Sequence, residues 1–251
     1  MIEKTAKFLY ACICWPIFVV LLALFLVWAV IISFFTIDSE YFLQQSSVPI
    51  LKLIIGFYGV KIQTQGVELI PTDKPFLLTA NHQSIMDIIL ILITVKPPFR
   101  FIAKKELALV PLLGWIMYVM GHYFIDRKNA AQAYAKLEAV KAQLLNGWSL
   151  AIFPEGTRSK TGKIGPFKRG SFKLALETGV PIVPCYIHGV HDILPKKALV
   201  PSSGTMYISF GKPIRVQKTV FKDKPDEISQ CSTLAETTKS AVETLQKKYI
   251  N

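Results

Sequence analysis

The chain has 251 residues, of which 51% are hydrophobic and 18% charged. A charged fraction below the roughly 25% of ordinary soluble domains excludes disorder, collagen and coiled coil as descriptions of the whole, and implies that part of the chain contacts lipid. Lys and Arg outnumber Asp and Glu by 29 to 17, a net charge of +12; a basic surface of this kind is either a solvated face or a partner for an anionic bilayer surface.

No helix-turn-helix, RRM or zinc-finger pattern accompanies the charge, so nucleic acid is not an expected partner. Of the four cysteines, Cys12 and Cys14 lie in an apolar run and Cys185 and Cys231 stand alone. That spacing suits neither a disulfide framework nor a structural zinc site.

Phe8 to Ile37 carries no charge over 30 residues. As a helix it would measure about 45 Å, against a hydrocarbon core of about 30 Å, with Pro16 free to kink it. It lacks a small-residue cleavage site, so a signal peptide is not expected. Asp38, Ser39 and Glu40 open a polar connection to Ser47. A second apolar run, Val48 to Val60, is interrupted only by Lys52. At about 20 Å it is too short to span and reads as an interfacial or half-buried helix. Lys4 and Lys7 favour a cytoplasmic N-terminus. A single complete span would then place the rest of the chain outside; a re-entrant pair of helices, both entering from one side, avoids that and is the expected arrangement. Residues 1–60 thus form a membrane-associated helical segment and residues 61–251 a separate domain.

From Pro75 the pattern alternates. Strands are expected at 75–80, 100–103, 123–125, 150–153, 181–187 and 205–210. Helices are expected at 84–95, 111–120, 130–146 and 170–178. In 130–146, Tyr134, Leu137, Val140 and Leu144 share one face. A last helix over about 226–249 places Ile228, Leu234, Val242 and Leu245 at helical spacings. Such alternation predicts an α/β fold, a central mostly parallel or mixed sheet flanked by helices, with chemistry in the loops at strand ends.

Two turns carry the chemistry. In Asn81-His82-Gln83-Ser84-Ile85-Met86-Asp87 a strand gives way to a helix, and a chain reversal there can return the Asp87 carboxylate to the His82 ring. A carboxylate on one ring nitrogen leaves the other as a base near neutral pH. Alone, the spacing equally fits a turn histidine beside an aspartate favoured by the helix dipole. In Phe153-Pro154-Glu155-Gly156-Thr157-Arg158-Ser159 a tight turn follows a strand. There Thr157 and Ser159 can donate to an oxyanion and Arg158 can grip a phosphate through two bonds. A polar turn with a solvated Arg158 fits as well.

Further cations, Lys104, Lys105, Arg127, Lys168 and Arg169, follow other elements. The chain has no G-x-S-x-G elbow for a serine hydrolase. His188, His191 and Asp192 lack a carboxylate-rich partner, so no metal site is expected. His122 reads as structural.

Taken in order, four blocks resemble those of the glycerolipid acyltransferase family. They are Asn81-His82 through Asp87; Ile102 to Leu107 with Pro111 to Trp115 and Phe124 to Arg127; Phe153 to Ser159; and Val180-Pro181-Ile182-Val183-Pro184. The resemblance implies transfer of a fatty acyl group from acyl-CoA or acyl-carrier protein to the sn-2 hydroxyl of 1-acyl-sn-glycerol-3-phosphate, giving phosphatidate. It casts His82 as the base and Asp87 as its orienting partner. Lys104, Arg127 and Arg158 become candidates for the acceptor phosphate, and Glu155, Gly156 and Thr157 members of the acceptor-binding turn. It implies direct attack without a covalent acyl-enzyme or cofactor, at the inner face of the cytoplasmic membrane. Another lysolipid or glycerol-3-phosphate as acceptor, and a non-catalytic protein binding anionic lipid, are the alternatives.

Overall fold

The computed structural model of the chain describes residues 2–36, 38–126, 130–195, 198 and 200–250. Ile37, the expected end of the first apolar run, and Arg127 lie outside the described residues, as does the side chain of Tyr134.

Among the described residues, seven strands form one sheet in the order β1-β7-β6-β2-β5-β3-β4. The strands are β1 (Val60–Gln65), β2 (Leu77–Ala80), β3 (Phe99–Lys104), β4 (Tyr123–Ile125), β5 (Ser149–Ile152), β6 (Ile182–His188) and β7 (Gly204–Phe210). Neighbours pair in parallel except β6 and β7, which are antiparallel, so β1 and β7 run against the other five. β2 and β5 are buried at every position, which is why Leu77-Leu-Thr-Ala80 and Ser149-Leu-Ala-Ile152 read as short apolar runs without alternation.

Helices cover both faces. α3 (Met86–Thr94) and α7 (Val190–Ile193) pack on one face through Met86, Leu90, Ile91, Val190 and Ile193. α5 (Ala130–Leu145), α6 (Lys173–Thr178) and α8 (Lys224–Ile250) cover the other through Val140, Leu144, Leu174 and Ala235. Of the residues expected on the inner face of α8, Val242 is buried, Leu234 packs against the same core and Leu245 is half-buried. Cys231, Ala235, Thr238 and Val242 are buried at i, i+4, i+7 and i+11, whereas Ile228 is exposed. The small Cys231, Ala235 and Thr238 side chains on this face let the helix lie close to the sheet. Asp223 accepts the backbone N–H of Asp226 at 2.8 Å and caps its start.

Two helices precede the sheet, α1 (Ile2–Phe35) and α2 (Ser39–Phe57). The expected connection from Asp38 to Ser47 is instead helical from Ser39, and Val60 opens β1 rather than closing a helix. The polar residues of α2 have partners on the domain. Glu40 pairs with Arg100 at 2.5 Å, the Phe99 N–H donates to Gln44 Oε1 at 3.3 Å, and Gln45 Nε2 donates to the Lys96 carbonyl at 2.9 Å. The Arg100 guanidinium lies 4.3 Å from the Trp148 ring centre. α1 and α2 share a cluster with α4 (Leu113–Val119), in which Ala29, Leu43, Ile116 and Met120 are buried. Among the described residues no helix is long and apolar enough to cross a membrane. The described part of α1 still presents Leu24, Val27, Ile31, Phe34 and Phe35 as exposed, with Phe34 81% accessible.

Candidate active site

β2 lies between β5 and β6, all three parallel, so the residues that follow them emerge together at one edge of the sheet. Asn81 fixes the exit from β2. Its Nδ2 donates to the Ile187 carbonyl at 2.9 Å and its Oδ1 accepts the Ile187 N–H at 2.8 Å. This continues the β2–β6 ladder through a side chain and sets where His82 begins.

The turn then reverses into α3. Asp87, in the first helical turn, is fully buried. Its Oδ2 accepts from His82 Nδ1 at 2.7 Å, from the Gln83 N–H at 2.6 Å and from the Ser84 N–H at 2.9 Å. Three hydrogen bonds on one oxygen fix the carboxylate in place. An ionised carboxylate only accepts, so Nδ1 carries the proton and Nε2 keeps its lone pair. The Phe153 ring stacks on the imidazole at 4.0 Å and 15°, fixing its plane. Asp87 also acts on Cys185, whose thiol is pushed well up, first by burial and then by that negative charge.

The second turn is bonded to the first. Glu155 is 7% accessible; its Oε1 accepts the His82 N–H at 2.9 Å and its Oε2 the Gly165 N–H at 3.0 Å. Burial is the largest influence on its carboxyl and raises its pKa, against the opposing pull of those two amides. The Ser159 N–H donates to the His82 carbonyl at 2.7 Å, and Gln83 Nε2 to the Gly162 carbonyl at 2.7 Å. Gly156 takes φ +73°, a conformation suited to glycine, and its N–H closes a turn on the Phe153 carbonyl at 3.0 Å. A Cβ on Gly165 would meet Glu155 Oε2 at 2.7 Å. Residues 155–165 and the His82 turn therefore form one hydrogen-bonded body.

The expected residues divide accordingly. His82 and Asp87 are in contact, and Glu155 is joined to their turn with both oxygens on backbone amides. Thr157 is exposed and Arg158 half-buried, one residue before the Ser159 amide that bonds His82. Among the described residues, no hydrogen bond or ion pair engages the Arg158 guanidinium. Lys104 lies at the end of β3 on the same sheet edge, paired with Glu106 at 2.7 Å in solvent, while Lys105 pairs with Asp126 at 3.3 Å. Sequence reasoning placed Asn81, Gln83 and Phe153 in the two turns but assigned them no role. Only their place in those turns marks them.

Among the described residues, no group of three or more His, Cys, Asp and Glu side chains could hold a metal ion. His122 is buried, accepts the Phe101 N–H at 3.3 Å and is held to a pKa of about 3 by burial and by Arg100.

The profile of the Acyltransferase family matches residues 61–188. A chloroplast 1-acyl-sn-glycerol-3-phosphate acyltransferase of Brassica napus is 36% identical over 163 residues, 64% of this chain and 46% of that protein. The protein of the same name from Saccharomyces cerevisiae is 35% identical over 184 residues, 72% of this chain and 59% of that protein. One from Borreliella burgdorferi is 33% identical over 169 residues, 67% of each. The chain spans about half the length of the first of these relatives. The crystal structure of the 1-acyl-sn-glycerophosphate (LPA) acyltransferase PlsC from Thermotoga maritima superposes with a TM-score of 0.76 at 28% identity, covering 97% of both chains. With a family profile over half its length and the same α/β framework across nearly all of it, the chain belongs to the Acyltransferase family.

Proposed function

We propose that the chain transfers a fatty acyl group from acyl-CoA or acyl-carrier protein to the sn-2 hydroxyl of 1-acyl-sn-glycerol-3-phosphate, forming phosphatidate for phospholipid synthesis. The observation that carries this reading is the buried Asp87 carboxylate on His82 Nδ1, which leaves Nε2 as a proton acceptor. The acceptor is inferred from the names of the relatives.

In this mechanism Nε2 takes the hydroxyl proton as the oxygen attacks the thioester carbonyl. The tetrahedral intermediate collapses, the C–S bond breaks, and Nε2 returns the proton to the departing sulfur. Asp87 offsets the transient imidazolium charge. General-base assistance of this kind contributes about 10²–10⁴-fold. Attack is direct, so the step requires neither a nucleophilic side chain nor a cofactor. Arg158, carried by the loop bonded to His82, binds the acceptor phosphate and so holds the glycerol hydroxyl within reach of Nε2. Lys104 and Arg127 are the further cations proposed for that phosphate.

The enzyme works at the cytoplasmic face of a membrane, docked through α1 and α2. Their exposed Leu24, Val27, Phe34, Phe35 and Leu53, and the net charge of +12, support contact with an anionic bilayer.

The test supplies labelled acyl-CoA or acyl-carrier protein with lysophosphatidate, glycerol-3-phosphate or lysophosphatidylcholine. The expected result is labelled phosphatidate and an equal amount of free thiol with lysophosphatidate. Faster transfer to either other acceptor contradicts the assignment, and free fatty acid in its place identifies a hydrolase.

A further inference from the structure

The connection between β3 and β4 projects apolar side chains that the chemistry above does not use. Leu109 is 78% accessible, Val110 40%, Trp115 55% and Tyr118 77%. They flank Ile116 and Met117, which are buried, so α4 turns one side inward and leaves the other bare. Isolated apolar side chains on a surface are ordinary, whereas four large ones within ten residues form a patch.

Three further observations bear on what covers it. Ile116 of α4, and Met120 just after it, cluster with Ala29 of α1 and Leu43 of α2, so the patch adjoins both helices read above as bilayer-docked. The connection leaves β3 at the sheet edge that also carries His82. Leu112 has φ +62° and ψ −55°, the only non-glycine with positive φ among the described residues. The Leu113 N–H bonds the Pro111 carbonyl at 2.7 Å across it. This is a strained γ-turn, and it sets the direction in which the chain leaves Val110 for α4. Leucine beside tryptophan and tyrosine is the composition that enters the boundary between headgroups and acyl chains.

We propose that residues 109–118 are a second bilayer contact, which seats the catalytic edge of the sheet against the lipid surface. The occupant is a phospholipid bilayer. This rests on the membrane reading of α1 but not on the reaction catalysed. With α1 and α2 alone, the sheet could pivot about the docked helices. A contact on α4 fixes the His82 edge toward the surface from which a lysolipid would come.

The direct test is quenching of tryptophan emission in vesicles of phosphatidylcholine and phosphatidylglycerol, the phosphatidylcholine being brominated close to the headgroup. The quenched fraction is compared between wild type and Trp115→Phe, a change too conservative to unfold an exposed site. The expected result is a smaller quenched fraction in the variant, because one lipid-exposed tryptophan has been removed. An equal quenched fraction overturns the proposal.

A second measurement uses Leu109→Glu/Trp115→Glu, with Val220→Glu as a control at an exposed apolar site beside α6. Vesicle affinity is expected to fall by about tenfold or more in the double variant and to hold in the control. Turnover of a water-soluble short-chain acceptor without vesicles is expected to be equal in all three. Unchanged vesicle affinity, or loss of a protein dimer in its place, would assign the face to something other than lipid. Both binding measurements read lipid contact without turnover, so a wild-type protein that binds vesicles but transfers no acyl group overturns the proposed function and leaves this inference standing.

Discussion

Replacing Glu155 by Gln tests the joint between the two turns. The carboxylate accepts two backbone N–H groups on separate oxygens, at 2.9 and 3.0 Å. A glutamine has one such oxygen, and its NH₂ would face an amide N–H. One charge-assisted bond, worth about 1.5–3 kcal/mol, is lost and a buried donor is left unpaired at a further cost of about 1–3 kcal/mol. Relief from burying a charge offsets part of this, since burial already raises the Glu155 pKa. A net loss of about 2 kcal/mol lowers Tm by about 4–8 °C in a chain of this size. His82 is displaced at its own backbone nitrogen, and a shift of about 1 Å at a reacting group costs about 10²-fold in kcat. Thermal unfolding in detergent and initial-rate kinetics check both figures. Gly165→Ala should reproduce the phenotype from the other side, through the 2.7 Å approach to Oε2. Wild-type Tm and kcat in Glu155→Gln would refute the clamp.

Two further outcomes follow from the geometry. Arg158→Ala should raise the KM for lysophosphatidate by about 10–10²-fold, the worth of one charge-assisted phosphate contact, with a much smaller change for the acyl donor; equal changes in both would remove its phosphate role. His122 titrates near 3 in the folded chain against 6.5 for an ordinary histidine. The unfolded chain therefore takes up a proton that the folded one refuses. The stability due to this group is fully present above about pH 6.5 and is lost as pH falls toward 3. His122→Asn keeps an acceptor for the Phe101 N–H without that titration, so its Tm should fall less between pH 6.5 and 4 than the wild-type Tm. Parallel curves would contradict the buried neutral imidazole.

Where a signal was local, the sequence carried it. His82 and Asp87 are five residues apart across a strand-to-helix turn, a separation that lets the first turn of α3 return the carboxylate to the ring. β2 and β5 were legible because each is buried on both faces and so reads as an unbroken apolar run. What escaped depends on partners far along the chain. β1 has exposed polar residues, and its partner β7 lies more than a hundred residues on. Asn81 matches Ile187, and Glu155 the His82 amide, without any feature of spacing that announces either. The N-terminal half of α2 looked like a connection because Glu40, Gln44 and Gln45 are polar. Their partners, Arg100 and the backbone of residues 96 and 99, are visible only once the domain is folded against the helix. In α8 the inner face interleaves Leu234 and Val242, which hydropathy selects, with the small Cys231, Ala235 and Thr238, which it does not, while Ile228 is exposed.

The most direct test of His82 as the base is the rate of phosphatidate formation by His82→Ala at saturating lysophosphatidate and acyl donor, with Asp87→Asn beside it. The account predicts a fall in kcat of about 10²–10⁴-fold for His82→Ala, with vesicle binding intact, and a smaller but clear fall for Asp87→Asn, in which a neutral acceptor replaces the charge on Nδ1. A His82→Ala protein that forms phosphatidate at the wild-type rate would contradict it.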